Sequence, residues 1–268
     1  MDKNALITDI LEGIGKADVC MLCYLWEKNE KRLMTHFLQN EAVMDPVFRD
    51  KVTDSKGFCN HHMYLLYEAA YGGRRGDALG YALYMQSVVE NLLRGFDYLP
   101  IGDLKGASSG IFDFSNKRKQ KILNFEDRVE YTVQGQRPCP ACESLLSSDR
   151  IHLETFLEML DGKKFEIEFK PFRGLCLPHF MSSIRILSQI KVKHVDDVAK
   201  KLVEVEKDRF KLLFSYLSEF IRKRKWDYRN EPAGAEVNAN PIALKMLAGV
   251  EGLYCKSFRN FFPPELNK

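Results

Sequence analysis

The chain has 268 residues, with 40 Lys plus Arg against 37 Asp plus Glu for a formal net charge of +3, and 45% of it is hydrophobic. That balance is too even to mark a nucleic-acid binder or an enzyme of acidic substrates by charge alone. No stretch approaches the ~20 apolar residues of a membrane helix, and acids stand in MDKNALITDILEG where a signal peptide is basic, so a soluble, cytoplasmic protein with no membrane partner is expected.

Helical patterns dominate from the start. Leu6, Ile7, Ile10 and Leu11 share one face of a helix over 4–13, with Gly13 and Gly15 as its expected stop. A long amphipathic helix is predicted from Leu22 to about Ala42, carrying Leu25, Trp26, Leu33 and Phe37 on one side. Asp45-Pro46 reads as an N-cap followed by Pro at the first helical position, opening a short helix that ends before Gly57. NHHMYLLYEAAYGG and DALGYALYMQSVVENLLRGF predict two more helices. Residues 98–116, with three Gly, three Ser and a Pro, read as a linker. Further helices are predicted at about 141–160, 177–189 and 195–225, and Asn240-Pro241 opens a last short one. FEIEF at 165–169 alternates with period two and is the one candidate β element, near 164–170.

Six of the seven cysteines fall into two sets of one form. The first reads Cys20-x-x-Cys23 followed by Cys59-x-x-His62, and the second Cys139-x-x-Cys142 followed by Cys176-x-x-His179. The sets are offset by 119 residues in the first pair and 117 in the second, which indicates internal duplication. Phe37-Leu38 recurs as Phe156-Leu157, and a Gly two residues before the third cysteine recurs as Gly57 and Gly174. His62 rather than His61 is the ligand, because the second set has Pro178 at the position of His61. His61 is read as a solvent-facing or supporting group.

Three thiolates and an imidazole make a closed tetrahedral zinc set, and a two-residue gap turns both ends of each pair toward one ion. Disulfides leave the histidines unexplained, and the residues after Cys23 and Cys142 are Tyr24 and Glu143, which excludes the CxxCH of covalent haem. An iron–sulfur centre on the same residues, in a redox or cofactor-handling enzyme, is the alternative. Cys255 has no partner in either set.

Other groupings are read more plainly. Tyr64, Tyr67, Tyr71, Tyr81 and Tyr84 are taken as a core face in preference to a stacking platform. Asp149 and His152 fit the Glu-x-x-His of di-iron bundles poorly and are taken as surface. Residues 181–225 hold twelve Lys plus Arg against six Asp plus Glu, ending in Arg222-Lys223-Arg224-Lys225, and with Lys117-Arg118-Lys119 they allow a nucleic-acid-binding alternative. No P-loop, GxGxxG, GxSxG or HExxH occurs, so no catalytic residue is nominated.

The duplicated units together with Asp227-Tyr228-Arg229-Asn230-Glu231-Pro232-Ala233-Gly234-Ala235-Glu236 resemble a family of uncharacterised bacterial and archaeal helical proteins, a domain of unknown function. The resemblance covers about 16–250 and departs at Met21, where the family pattern has Pro; it implies no activity. The expected fold is mainly α: two tandem pseudo-repeat helical units, each with a Cys3His site. The boundaries are 1–97, a linker at 98–116, 117–226, and a C-terminal 227–268. The expected function is a binding or scaffold protein with two structural zinc ions and an unknown protein or small-molecule partner.

Overall fold

The computed structural model describes residues 3–72, 78–104, 116–162, 172–228 and 230–254. Among them the backbone forms eleven α-helices and no strand. The candidate β element near 164–170 and Cys255 lie outside the described residues. No helix among those described is long and apolar enough to cross a membrane.

The helices are α1 (Lys3–Lys16), α2 (Met21–Phe37), α3 (Asn40–Val43), α4 (Pro46–Asp54), α5 (Asn60–Tyr71), α6 (Ala78–Asp97), α7 (Asn116–Val133), α8 (Pro140–Leu160), α9 (Leu177–Leu187), α10 (Val195–Lys223) and α11 (Ala239–Ala248). Asp45 caps α4 as expected, its Oδ1 accepting from Val47 N at 2.9 Å with Pro46 inside the first turn. Gly13 does not stop α1. A Cβ there would lie 3.2 Å from Met21 O, so the glycine serves the close passage of α1 against α2. The predicted helix to Ala42 ends at Phe37, and α3 follows as one separate turn. Helix α7 was not predicted; its apolar face is thin among many charges.

The chain condenses into two compact units. Among the described residues one lies within 1–29 and 145–253, the other within 30–144 together with Tyr254. These units are not the tandem stretches 1–97 and 117–226, because each repeat contributes residues to both. The first is built on a core of Ile10, Ile14, Leu22, Leu153, Phe156, Leu157, Leu175, Val198 and Leu202, with Met246 of α11 closing it. In the second, α6 packs on α3, α4, α5 and α7. Buried Tyr84 donates to Phe37 O at 2.8 Å and meets Phe48 and Phe58 edge-on. The recurrent Phe37 and Phe156 are therefore core residues, one in each unit.

Candidate metal centres

All four chelating pairs sit at helix starts. Cys59 and Cys176 are the N-caps of α5 and α9, with extended backbone (φ −63°, ψ 165° and φ −74°, ψ 159°) and no side-chain cap bond. Cys20 and Cys139 immediately precede α2 and α8, and the four cysteine carbonyls accept the first helical bonds from Tyr24, Met63, Glu143 and Phe180 at 2.8–3.1 Å. The second member of each pair stands one turn in, so both donors face the same way. A helix N-terminus also favours a thiolate, through its unpaired N–H groups and dipole.

The pairing of these pairs differs from the sequence reading. Cys20 and Cys23 assemble with Cys176 and His179, and Cys59 and His62 with Cys139 and Cys142; within each group the donor atoms lie within 4.8 Å of one another. Each centre thus takes its CxxC from one sequence set and its CxxH from the other, correcting the assignment of Cys20, Cys23, Cys59 and His62 to one ion and Cys139, Cys142, Cys176 and His179 to the other. The spacing within a pair is local, and identical in both repeats, so it leaves the partner open.

In the first unit, His179 Nδ1 is 3.1 Å from Cys176 Sγ, 3.4 Å from Cys23 Sγ and 3.5 Å from Cys20 Sγ, with Cys23 and Cys176 sulfurs 3.4 Å apart. In the second, His62 Nδ1 is 3.1 Å from Cys59, 3.2 Å from Cys142 and 3.6 Å from Cys139, with Cys59 and Cys142 sulfurs 3.6 Å apart. Around an ion bonded at ~2.3 Å to sulfur and ~2.0 Å to nitrogen, tetrahedral neighbours stand ~3.5–3.8 Å apart. The donors, at 3.1–3.6 Å, come near that spacing, whereas a disulfide needs ~2.05 Å.

The electrostatics point the same way. Burial opposes charge on His62, but the thiolates of Cys139 and Cys59 and the Glu30 carboxylate outweigh it and push the imidazole up to about 11. Burial likewise opposes a charge on His179, yet Asp149 and Cys20 raise it well above the usual range. In each set one thiol, Cys20 or Cys139, is held low against its burial by the sulfurs and imidazole beside it, while a neighbour, Cys23 or Cys142, is driven far up by the sulfurs beside it. Three thiols packed together cannot all become thiolates side by side without a cation to neutralise them.

Each ligand imidazole is held from behind. Glu30 Oε1 lies 3.1 Å from His62 Nε2, and Asp149 Oδ1 lies 3.1 Å from His179 Nε2. These acids occupy equivalent repeat positions, and both are buried. They fix the tautomer that presents Nδ1 to the sulfurs. Asp149 and His152 are therefore not surface groups: His152 is 1% exposed on the inward face of α8. The signal in the sequence was the recurrence of an acid seven residues after each CxxC. His61 is the supporting group expected of it, its Nε2 3.0 Å from the same Glu30 Oε1.

The first centre has further struts. Arg209 of α10 donates to Val19 O and Leu175 O, both at 2.8 Å, the residues just before Cys20 and Cys176. Glu206 accepts from Leu175 N and pairs with Arg209 at 3.5 Å. Gly174, at φ +85°, passes so close that a Cβ would lie 2.5 Å from Glu206 Oε1.

The remaining sequence candidates are placed as follows. Tyr84 is core, but Tyr64, Tyr67 and Tyr71 are 65%, 47% and 58% exposed. Helix α5 buries His62, Leu66 and Ala70 instead, and Tyr67, Tyr71 and Tyr81 stack on one another outside. In the basic run, Arg222 pairs with Glu219 and Glu231, and Lys223 with Glu236. Arg222 also lies 4.6 Å over the Tyr228 ring. Tyr228, Glu231 and Glu236 thus form a clasp on the end of α10.

Residues 1–251 match the family described as "Family of unknown function (DUF6062)". No curated protein and no solved structure matches the chain.

Proposed function

The chain belongs to DUF6062, a family of unknown function, and from its two centres we propose that it is a binding or scaffold protein stabilised by two structural zinc ions. The observation that carries this is the donor set itself: two groups of three sulfurs and one nitrogen, buried except for Cys59, each within 4.8 Å. Four protein donors leave no open coordination position for a substrate or a reactive water, as a structural site requires. A cluster of several irons interposes iron and sulfide atoms between its ligands, and so compact a set favours a single ion. Bound there, zinc would act as an electrostatic and covalent crosslink. Cys20, Cys23, Cys176 and His179 would hold one ion, and Cys59, His62, Cys139 and Cys142 the other.

The test is elemental analysis with an absorption spectrum on protein purified without oxygen or added metal. Two zinc per chain and no visible absorbance are expected. Iron with visible charge-transfer bands would overturn the zinc assignment and favour the redox reading, and absence of any metal would overturn both.

A further inference from the structure

The two centres are alike in ligands but unlike in shelter. In the first unit all four ligands are buried: Cys176 and His179 are fully enclosed, and a crevice of about 80 Å³ beside Cys20 and Cys23 leaves those thiols only 3% and 5% exposed. Gly249, at φ +80°, lays bare backbone against this centre, where a Cβ would stand 3.4 Å from Cys176 Sγ and 3.6 Å from Cys23 Sγ. In the second unit Cys139, Cys142 and His62 are buried, but Cys59 is partly exposed, alone among the eight ligands. Its sulfur lies 3.6 Å from that of buried Cys142.

We infer that the second centre is an oxidative release site: the Cys59 thiolate attacks a hydroperoxide, Cys142 resolves the product, and the ion held there leaves while the first centre keeps its own. This rests on the metal-binding reading above. An exposed thiolate is the one an oxidant reaches, and a second thiolate within contact distance closes the disulfide before further oxidation. In the first step the Cys59 thiolate gives two electrons to hydrogen peroxide, the O–O bond breaks, an S–O bond forms, and hydroxide departs. In the second the Cys142 thiolate attacks the sulfenic sulfur, an S–S bond forms, and a second hydroxide departs; two solvent protons convert both hydroxides to water. The cation has then lost two of its four ligands. The sulfurs need only close from 3.6 Å to the ~2.05 Å of a disulfide. Arg209, Glu206 and Gly249 have their places at the first centre, so the molecule carries its own unreactive control.

The test uses the full chain with both metals bound, and also its Cys255→Ser variant, so that only the six ligand cysteines report. Hydrogen peroxide is added, released metal is followed with a chromophoric chelator, and disulfides are mapped by mass spectrometry after alkylation. One metal equivalent is expected to leave roughly tenfold faster than the other, with a Cys59–Cys142 bond, as exposure governs thiolate oxidation. Reductant with added metal should restore two equivalents. Release of both metals at one rate, first oxidation at Cys20, Cys23 or Cys176, or a bond from Cys59 to Cys139 would overturn the inference. A protein without metal before peroxide is added fails the earlier reading and removes this one with it; two metals of equal resistance defeat this one alone.

Discussion

Glu30 and Asp149 each put a carboxylate on the far nitrogen of a ligand imidazole, at 3.1 Å in both cases. Such partners orient the ring and raise its basicity, and losing one typically costs ~10–100-fold in metal affinity. Glu30→Gln should weaken the centre of Cys59, His62, Cys139 and Cys142 by that order while leaving the other intact, and Asp149→Asn should do the converse. Competition against a chelator of known affinity checks this, and equal weakening of both centres by either variant would refute it. Gly249 is a second residue-scale case. Its φ of +80° and ψ of −156° lie in a region essentially restricted to glycine, and a Cβ would meet Leu253 at 2.4 Å. Gly249→Ala should therefore cost ~1–3 kcal/mol of stability, read as a lowered midpoint in thermal or urea unfolding.

Among the elements, α10 does the most to shape a centre. Its Arg209 and Glu206 hold the backbone just before Cys20 and Cys176, where three polar backbone groups would otherwise be left without these partners. Arg209→Ala strands a buried carboxylate, and removing one member of such a pair costs ~3 kcal/mol or more. Unfolding should show that loss, with metal leaving the first centre at lower chelator concentration than in the wild type. At its other end α10 is fastened by the clasp. The Lys223 ammonium and the Gly234 amide hold the Glu236 carboxyl down at about 2, below its ordinary 4.5. Since the folded value is the lower one, the clasp contributes fully above about 4.5 and loses its hold as pH falls toward 2. The Gly234 amide resonance should titrate near 2, and Lys223→Ala should move that midpoint up toward the ordinary carboxyl value. A wild-type midpoint already near 4.5 would contradict the contact.

For the molecule as a whole, the exchange of ligand pairs between repeats makes a prediction that a simple tandem arrangement does not. Cys59→Ser and Cys139→Ser should each lose the same metal, so their double variant should still keep one ion per chain. Cys139→Ser with Cys176→Ser should lose both. Pairing within each repeat predicts one ion lost for Cys139 with Cys176 and both lost for Cys59 with Cys139. Metal content of the purified variants separates the two schemes outright. The exchange also explains why the compact units interleave the chain: a unit must hold a CxxC from one repeat and a CxxH from the other.

Much of this was legible in the residues. The helices followed from apolar spacing and from Asp45-Pro46, because both are local effects within a few turns. The eight Cys and His donors that the structure gathers into two groups followed from two copies of one pattern. The acids Glu30 and Asp149 were visible as a recurrence, but surface and interior acids look alike until the facing imidazole is placed. The tyrosines of α5 misled for a related reason: two opposite faces of that helix are apolar enough to bury, and the one bearing His62, Leu66 and Ala70 is the one that is buried. The sequence by itself determined which residues can bind metal and that they come in two equal sets, since chelation needs only spacing along one turn. The tertiary structure alone decided which pairs share an ion, which carboxylate stands behind each imidazole, and that Cys59 is the one ligand left within reach of solvent. Those depend on contacts between residues tens to more than a hundred positions apart, and identical local motifs carry no record of their partners.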